Sequence, residues 1–294
     1  MTIWIIIFSS VVVLFIYALY HRKVINRRDI EIPESWKEIL SQKVDFYQHL
    51  SDSEKERFEQ NCYLFLRKVT VTGIETDVSL EDRLLVASSA IIPLFGFPEW
   101  EYPGLKEVIL YPSAFDRNFQ FNNEEEVITG MVGNGIMQGK VIFSKPALHH
   151  GFANTQDKKN VGIHEFVHLF DDGDGIINGI PNGFEDKKYA VLWVKLMKSE
   201  IQKIKEHHSD INIYGSTSQE EFFAVVSEYF FERPILFKKK HPELYDLLKQ
   251  IFHQKLAKKF KLIPSRKTSK KRKPSRNEKC VCGSGKKYKY CCMS

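Results

Sequence analysis

Cysteine is nearly missing from the places where a stapled extracellular fold would need it. Of five cysteines in 294 residues, only Cys62 precedes the last fifteen positions. A secreted domain held by disulfides spreads its pairs through the core, so that class is excluded. Cys62 stands in the apolar stretch Cys62-Tyr63-Leu64-Phe65-Leu66 and reads as a small buried hydrophobe rather than a nucleophile. Acids are scarce at the other end. Residues 261–294 carry twelve Lys or Arg against one acid, Glu278; the whole chain is only +6, so the rest is net acidic and the basic character belongs to the tail. Internal repeats and long low-complexity stretches are lacking from residue 32 to 253. With 43% hydrophobic and 27% charged residues overall, a disordered or fibrous body is excluded.

Charge is missing from the N-terminus as well. Residues 3–20 are uncharged, and as a helix they would extend about 27 Å, close to the thickness of a bilayer core. No Lys or Arg precedes the run and no small-x-small cleavage site follows, which argues against a removable signal peptide. Residues 1–22 therefore read as an uncleaved transmembrane anchor. Arg22, Lys23, Arg27 and Arg28 follow it, and the excess of positive charge predicts a single-pass membrane protein with its main domain facing the cytoplasm.

What is present downstream is mixed periodicity. Helical patterns cover 51–69, 79–90, 186–206 and 220–231, and short strands cover 107–111 and 140–144. In 186–206 the positions Tyr189, Leu192, Val194, Leu196, Ile201 and Ile204 read as the buried side. The fold class is α+β: one mixed domain over 23–258, which the residues taken next read as zincin-like, a basic flexible linker over 259–274 and a small knuckle over 275–294, behind the transmembrane helix.

The zincin reading rests on His164-Glu165-Phe166-Val167-His168. Two histidines four residues apart share one face of a helix and can share one metal, while Glu165 can reach a water bound there and move its proton. Asn160 reads as the N-cap of this helix. A catalytic zinc needs a third ligand. Glu221 opens a segment so apolar, Phe222-Phe223-Ala224-Val225-Val226, that a carboxylate there calls for a partner; Glu220 and Glu228 are its rivals, Glu228 lying on the same face. Tyr214, just ahead, reads either as a donor to an oxyanion or as a packing tyrosine. Asp171 reads as a partner of a ligand imidazole or as a solvated loop acid. The pairs His149-His150 and His207-His208 read as surface features. Residues 139–144 read either as an edge strand along which a substrate lies or as an interior strand.

The combination of His164-Glu165-Phe166-Val167-His168-Leu169-Phe170-Asp171 with Tyr214 and, seven residues later, Glu221-Phe222-Phe223-Ala224-Val225 resembles the Mlc titration factor A family of zinc peptidases. The resemblance runs from about residue 40 to 253 and includes Ile109-Leu110-Tyr111-Pro112-Ser113-Ala114-Phe115. It implies His164, His168 and Glu221 as gluzincin-like ligands of a catalytic Zn²⁺, Glu165 as the base and Tyr214 as the transition-state stabiliser. It implies a peptide or protein substrate, with aminopeptidase action as the family's reading. The alternative is a non-catalytic, zinc-stabilised regulator that sequesters a transcription repressor or another protein.

In the tail, Cys280, Cys282, Cys291 and Cys292 supply four thiolates, the number that closes a tetrahedral structural zinc. The segment from Arg276 to Cys292 resembles the SEC-C motif of the SecA translocation ATPase. It predicts a docking module for a protein partner. The basic linker is the candidate for contact with anionic lipid or nucleic acid.

Overall fold

The computed structural model describes residues 31–98, 101–120, 127–133, 137–180, 187–262, 275–280 and 285–291. The chain divides into two units, Met1–Glu34 and Ser35–Ser294, and the elements described next belong to the second.

Helix α1 (Asp52–Lys68) opens on a capping box in which Glu54 accepts from the Ser51 amide. Strand β1 (Thr70–Gly73) follows, then α2 (Leu80–Leu94), which opens on a second capping box between Ser79 and Asp82. Every residue of α2 from Leu84 onward is buried, so it has no solvent face and runs through the interior. It continues past the expected end at residue 90, because Ile91, Ile92 and Leu94 stay in the core and Pro93 enters only the last turn.

β2 (Glu107–Tyr111), β3 (Gly130–Val132) and β4 (Lys140–Ser144) complete a four-stranded sheet in the order β1-β2-β4-β3. The first three strands in that order are parallel; β3 runs antiparallel to β4 and forms one edge, β1 the other. Val108, Leu110, Val141 and Phe143 enter the main core, while Ile109, Tyr111 and Ile142 pack with Phe115 on the opposite face. With both faces covered, β2 and β4 are apolar at nearly every position. β4 is thus an interior strand, and the edge beside it belongs to β3, a strand the sequence did not announce.

Helices α3 (Lys145–Ala153), α4 (Val161–Asp171), α5 (Lys187–Lys205) and α6 (Gln219–Glu232) follow, and α7 (Pro234–Lys240), α8 (Pro242–Ile251) and α9 (Leu256–Leu262) close the body. α4 lies between α2 and α6 and touches β3. A methyl group placed on Gly162 would sit 2.0 Å from Ser89 Oγ of α2, an approach that only glycine permits. On the other side Phe170 meets Phe223, which stacks on Phe252 with centroids 5.8 Å apart. Each such buried ring contributes about 1.5–3 kcal/mol, so the position of α4 against α6 is firmly set.

Three expectations change. α5 buries Trp193, Met197 and Ile204, whereas Leu192 is 49% exposed; Trp193 also donates from Nε1 to the Gly179 carbonyl at 2.6 Å. α9 carries the chain to Leu262 with Phe260 buried, so the start of the supposed linker is helical, and residues 263–274 lie outside the described residues. The anchor expected over residues 1–22 also lies outside them. Among the described residues no helix is long and apolar enough to cross a membrane, which corrects the expected single-pass placement with a cytoplasm-facing domain. The longest described helix shows why: α5 has 19 residues, but Lys195, Lys198, Glu200, Lys203 and Lys205 interrupt its apolar character.

Candidate metal centre

Asn160 caps α4 by accepting from the Ile163 amide at 3.1 Å, as its position before the apolar pattern predicts. The helix then projects His164 and His168 to one side, one turn apart. Across from them, Ser218 caps α6 by accepting from the Glu221 amide at 3.2 Å and so sets the first turn that carries the Glu221 carboxylate. His164 Nε2 lies 3.0 Å from Glu221 Oε2 and 3.2 Å from His168 Nε2, and His168 Nε2 lies 3.6 Å from the same carboxylate oxygen. Among the described residues these three form the group whose donor atoms converge, all within 4.8 Å of one another. Four ligands at ordinary zinc distances stand about 3.3 Å apart along the edges of a tetrahedron, so the donors fit such an ion.

Of the rival acids, Glu221 rather than Glu220 meets the imidazoles. Glu228 does something else: it lies 2.8 Å from His164 Nδ1 and accepts from the Asn160 amide, joining the imidazole to the cap of its own helix. Glu165 is buried, and burial pushes its carboxyl up despite the opposing His164 and His168. It lies directly beneath the edge strand. A methyl group placed on Gly130 of β3 would come within 2.5 Å of Val161 Cγ2 and 2.8 Å of Glu165 Oε1. Tyr214 sits on the turn Ile213–Ser216, half-exposed, with its ring 6.0 Å from that of His164. Burial and the nearby Glu221 push its phenol up to about 12.

The electrostatics are one-sided. Three carboxylates, those of Glu165, Glu221 and Glu228, face two imidazoles, and among the described residues the ion pairs of this corner include no Lys or Arg. Burial works to hold His164 neutral, yet Glu228 and Glu221 raise its pKa well above the ordinary value. Burial likewise opposes the charge on Glu221, but His164 and His168 hold it well below the carboxylate range. The corner is short of positive charge, which a divalent cation would supply.

Comparisons with known proteins identify the family of this chain. The family model for the glucose-regulated metallo-peptidase M90 matches residues 18–253. The chain belongs to the M90 metallopeptidase family. Similar proteins include the uncharacterized protein slr2042 of Synechocystis, 29% identical over 234 residues that cover 75% of this chain and 84% of that protein. Mlc titration factor A of Klebsiella pneumoniae is 26% identical over 234 residues (74% and 85%), and that of Escherichia coli 28% over 236 residues (74% and 85%). Behind the M90 region, the SEC-C motif matches residues 276–294. Both matches point to bound metal, with zinc the natural choice for these donors.

Elsewhere one histidine pair departs from the expected surface role and the other keeps it. His149 is an ion-pair partner, with Nε2 2.5 Å from the fully buried Asp82 and Nδ1 3.4 Å from Glu81; His207 and His208 are exposed. Asp171 is buried and accepts from the amides of Asn178 and Gly179 at 2.9 and 2.6 Å, pinning the loop that leaves α4. Cys62 is buried in the main core, and burial with Glu59 nearby pushes its thiol up, away from the reactive form. Of the four tail cysteines, Cys280 and Cys291 are described; Cys282 and Cys292 lie outside the described residues.

Proposed function

We propose that this M90 member is a zinc-dependent peptidase in which His164, His168 and Glu221 hold the catalytic metal. The observation that carries the reading is the convergence of those three donors beside a buried Glu165, at a corner short of positive charge. When bound, zinc would supply a Lewis acid for the peptide carbonyl and an acidified water for attack. Glu228 takes the Nδ1 proton of His164 as a hydrogen bond, which leaves Nε2 free to face the metal. Glu165 accepts the proton of the attacking water and returns it to the leaving amine; its raised pKa suits that two-way traffic. Tyr214, protonated at neutral pH, donates to the oxygen on which charge develops. The outer edge of β3 lies over Glu165 and offers unpaired backbone to an extended peptide. Cys280, Cys282, Cys291 and Cys292 hold a second, structural zinc in the SEC-C segment.

The decisive experiment is hydrolysis of a varied peptide set by the wild type and by Glu165→Gln. The expected result is a loss of about 10²–10⁴ in rate with undiminished zinc content. Wild-type protein inert on every peptide would sink the enzymatic reading. That outcome would favour the second reading, a zinc-stabilised binding protein, which the name of the relatives, titration factors of Mlc, also supports.

A further inference from the structure

The tail segment does not stand away from the peptidase domain. Its two described pieces form a small hairpin in which the Cys280 amide donates to the Lys286 carbonyl at 2.7 Å and the Tyr288 amide to the Glu278 carbonyl at 2.8 Å, around a bridge between Lys279 and Lys287. This pairing turns Cys280 and Tyr288 inward, 5% and 8% exposed, onto Ala147 in the first turn of α3, with Val161 and Cys291 packed beside them. Lys159 Nζ closes the contact by donating to the Cys291 carbonyl at 3.3 Å. Arg276, Lys279, Lys286 and Lys287 face solvent. Ala147 thus clusters with Cys280 and Tyr288 of the tail rather than with the main core.

What lies under the tail is the start of the helix that carries the metal donors. Val161 is the first residue of α4; it touches the tail cluster, packs against the main core and abuts Gly130 of β3. Its neighbour Asn160 caps the helix and gives its amide to Glu228, the carboxylate that holds His164. Lys159, one residue earlier, is the residue bonded to the tail. Three consecutive residues therefore link the tail, the helix cap and the imidazole.

We propose that the SEC-C segment acts in cis as a brace on the first turn of α4, holding Asn160 and Val161 in the positions that orient His164 through Glu228. The surface formed by Ala147, Val161 and Lys159 is a docking site for the chain's own residues 275–280 and 285–291. Release of the tail loosens the first turn of α4 and, through it, one metal ligand. The consequence for zinc rests on the metal-site reading above; the docking itself does not.

Hydrogen exchange on the full-length chain separates the two. Ala147→Arg places a charge under the tail from the α3 side, and Tyr288→Ala removes the ring from the tail side. Both are expected to speed exchange of the Ile163 and His164 amides by about tenfold or more, while α1 amides keep their wild-type rates. Tyr288→Phe, which keeps the ring, restores the slow rates. Wild-type exchange at Ile163 and His164 in both disrupted variants would overturn the brace, whether or not the tail itself exchanges faster. Because the readout is an amide rate, an inactive wild type would not affect the result.

Discussion

Two acids, Glu221 in the first turn of α6 and Asp210, which meets Tyr229 near the other end of that helix, show two ways in which this protein surrounds a carboxylate. Burial opposes the charge on each, and neighbours hold both well below the ordinary carboxylate range. The neighbours differ in kind. Asp210 receives Lys158 at 2.7 Å, Lys240 at 3.0 Å, His241 at 2.8 Å and the Tyr229 hydroxyl at 2.9 Å. Those partners come from separate elements and complete the charge balance, so the cluster ties α6 to α7 and the α3–α4 loop. Among the described residues Glu221 meets His164, His168 and the Tyr214 phenol, none of them a lysine or arginine, and it shares the imidazoles with Glu165 and Glu228. A cluster whose charges balance stabilises the fold; one with more carboxylates than cations has the charge deficit that a bound divalent cation would offset.

The sharpest way to break that contrast is to neutralise both acids in turn. Glu221→Gln is expected to lower the zinc content by one equivalent and hydrolysis by about a thousandfold or more, since metal activation and the general base act through the same centre. Metal analysis alongside the peptide assay checks it. Full zinc content in Glu221→Gln would mean that the charge deficit is filled in some other way, and the contrast with Asp210 would collapse.

Next in size is Gly130→Ala. The added methyl would overlap Val161 and press on Glu165 at 2.8 Å, so either β3 or the glutamate must shift. A displacement of about 1 Å in a reacting group can lower the rate on the order of a hundredfold. The expected result is a fall in kcat of about ten- to a hundredfold with zinc content unchanged. An unaltered kcat would show that β3 yields instead, and that its edge does not fix the base.

Parts of this arrangement are legible in the sequence and parts are not, for physical reasons. The spacing of His164 and His168 specifies a shared helical face whatever the tertiary context, and the apolar run after Glu221 marks that carboxylate as out of place without a partner. β2 and β4 announce themselves because both faces are buried and nearly every residue is apolar. β3 does not: it has three residues, one of them the glycine that lets it lie against Glu165. On the buried side of α5, Tyr189, Val194, Leu196, Ile201 and Ile204 meet the core as expected, but the helix has apolar residues on more than one side, and only packing decides that Trp193 turns inward while Leu192 does not. Glu228 shares a face with Glu221 in the sequence, but its bonds to His164 and to the Asn160 amide depend on how α4 crosses α6. The pairing of Asp82 with His149 and Lys145 joins positions more than sixty residues apart and leaves no local mark.

On the charge-balanced side of the comparison, Asp210→Asn removes the acid that Lys158, Lys240 and His241 share. Because the cluster is only partly buried, the loss is expected at about 1–3 kcal/mol rather than the larger cost of breaking a fully buried pair. Urea unfolding measures it. Zinc content and kcat are expected to stay at wild-type values, and loss of zinc here would show that the two acids are not separate after all.

The smallest effect concerns the pH dependence of the same cluster. Burial alone would lower the pKa of His241, but Glu200 and Asp210 outweigh it and raise it above the ordinary 6.5. A histidine whose pKa is higher in the folded state contributes stability that is fully present below the unfolded value and is lost as pH rises through the folded one. The wild type should therefore lose stability between about pH 6 and the raised pKa of His241, by no more than about 1 kcal/mol for so partly exposed a pair. His164 would give the same sign in metal-free protein, so the comparison requires equal zinc loading. Under that condition His241→Asn should flatten the slope of the urea midpoint against pH. A slope as steep as the parent's would mean that Lys158 and Lys240 satisfy Asp210 without the imidazole.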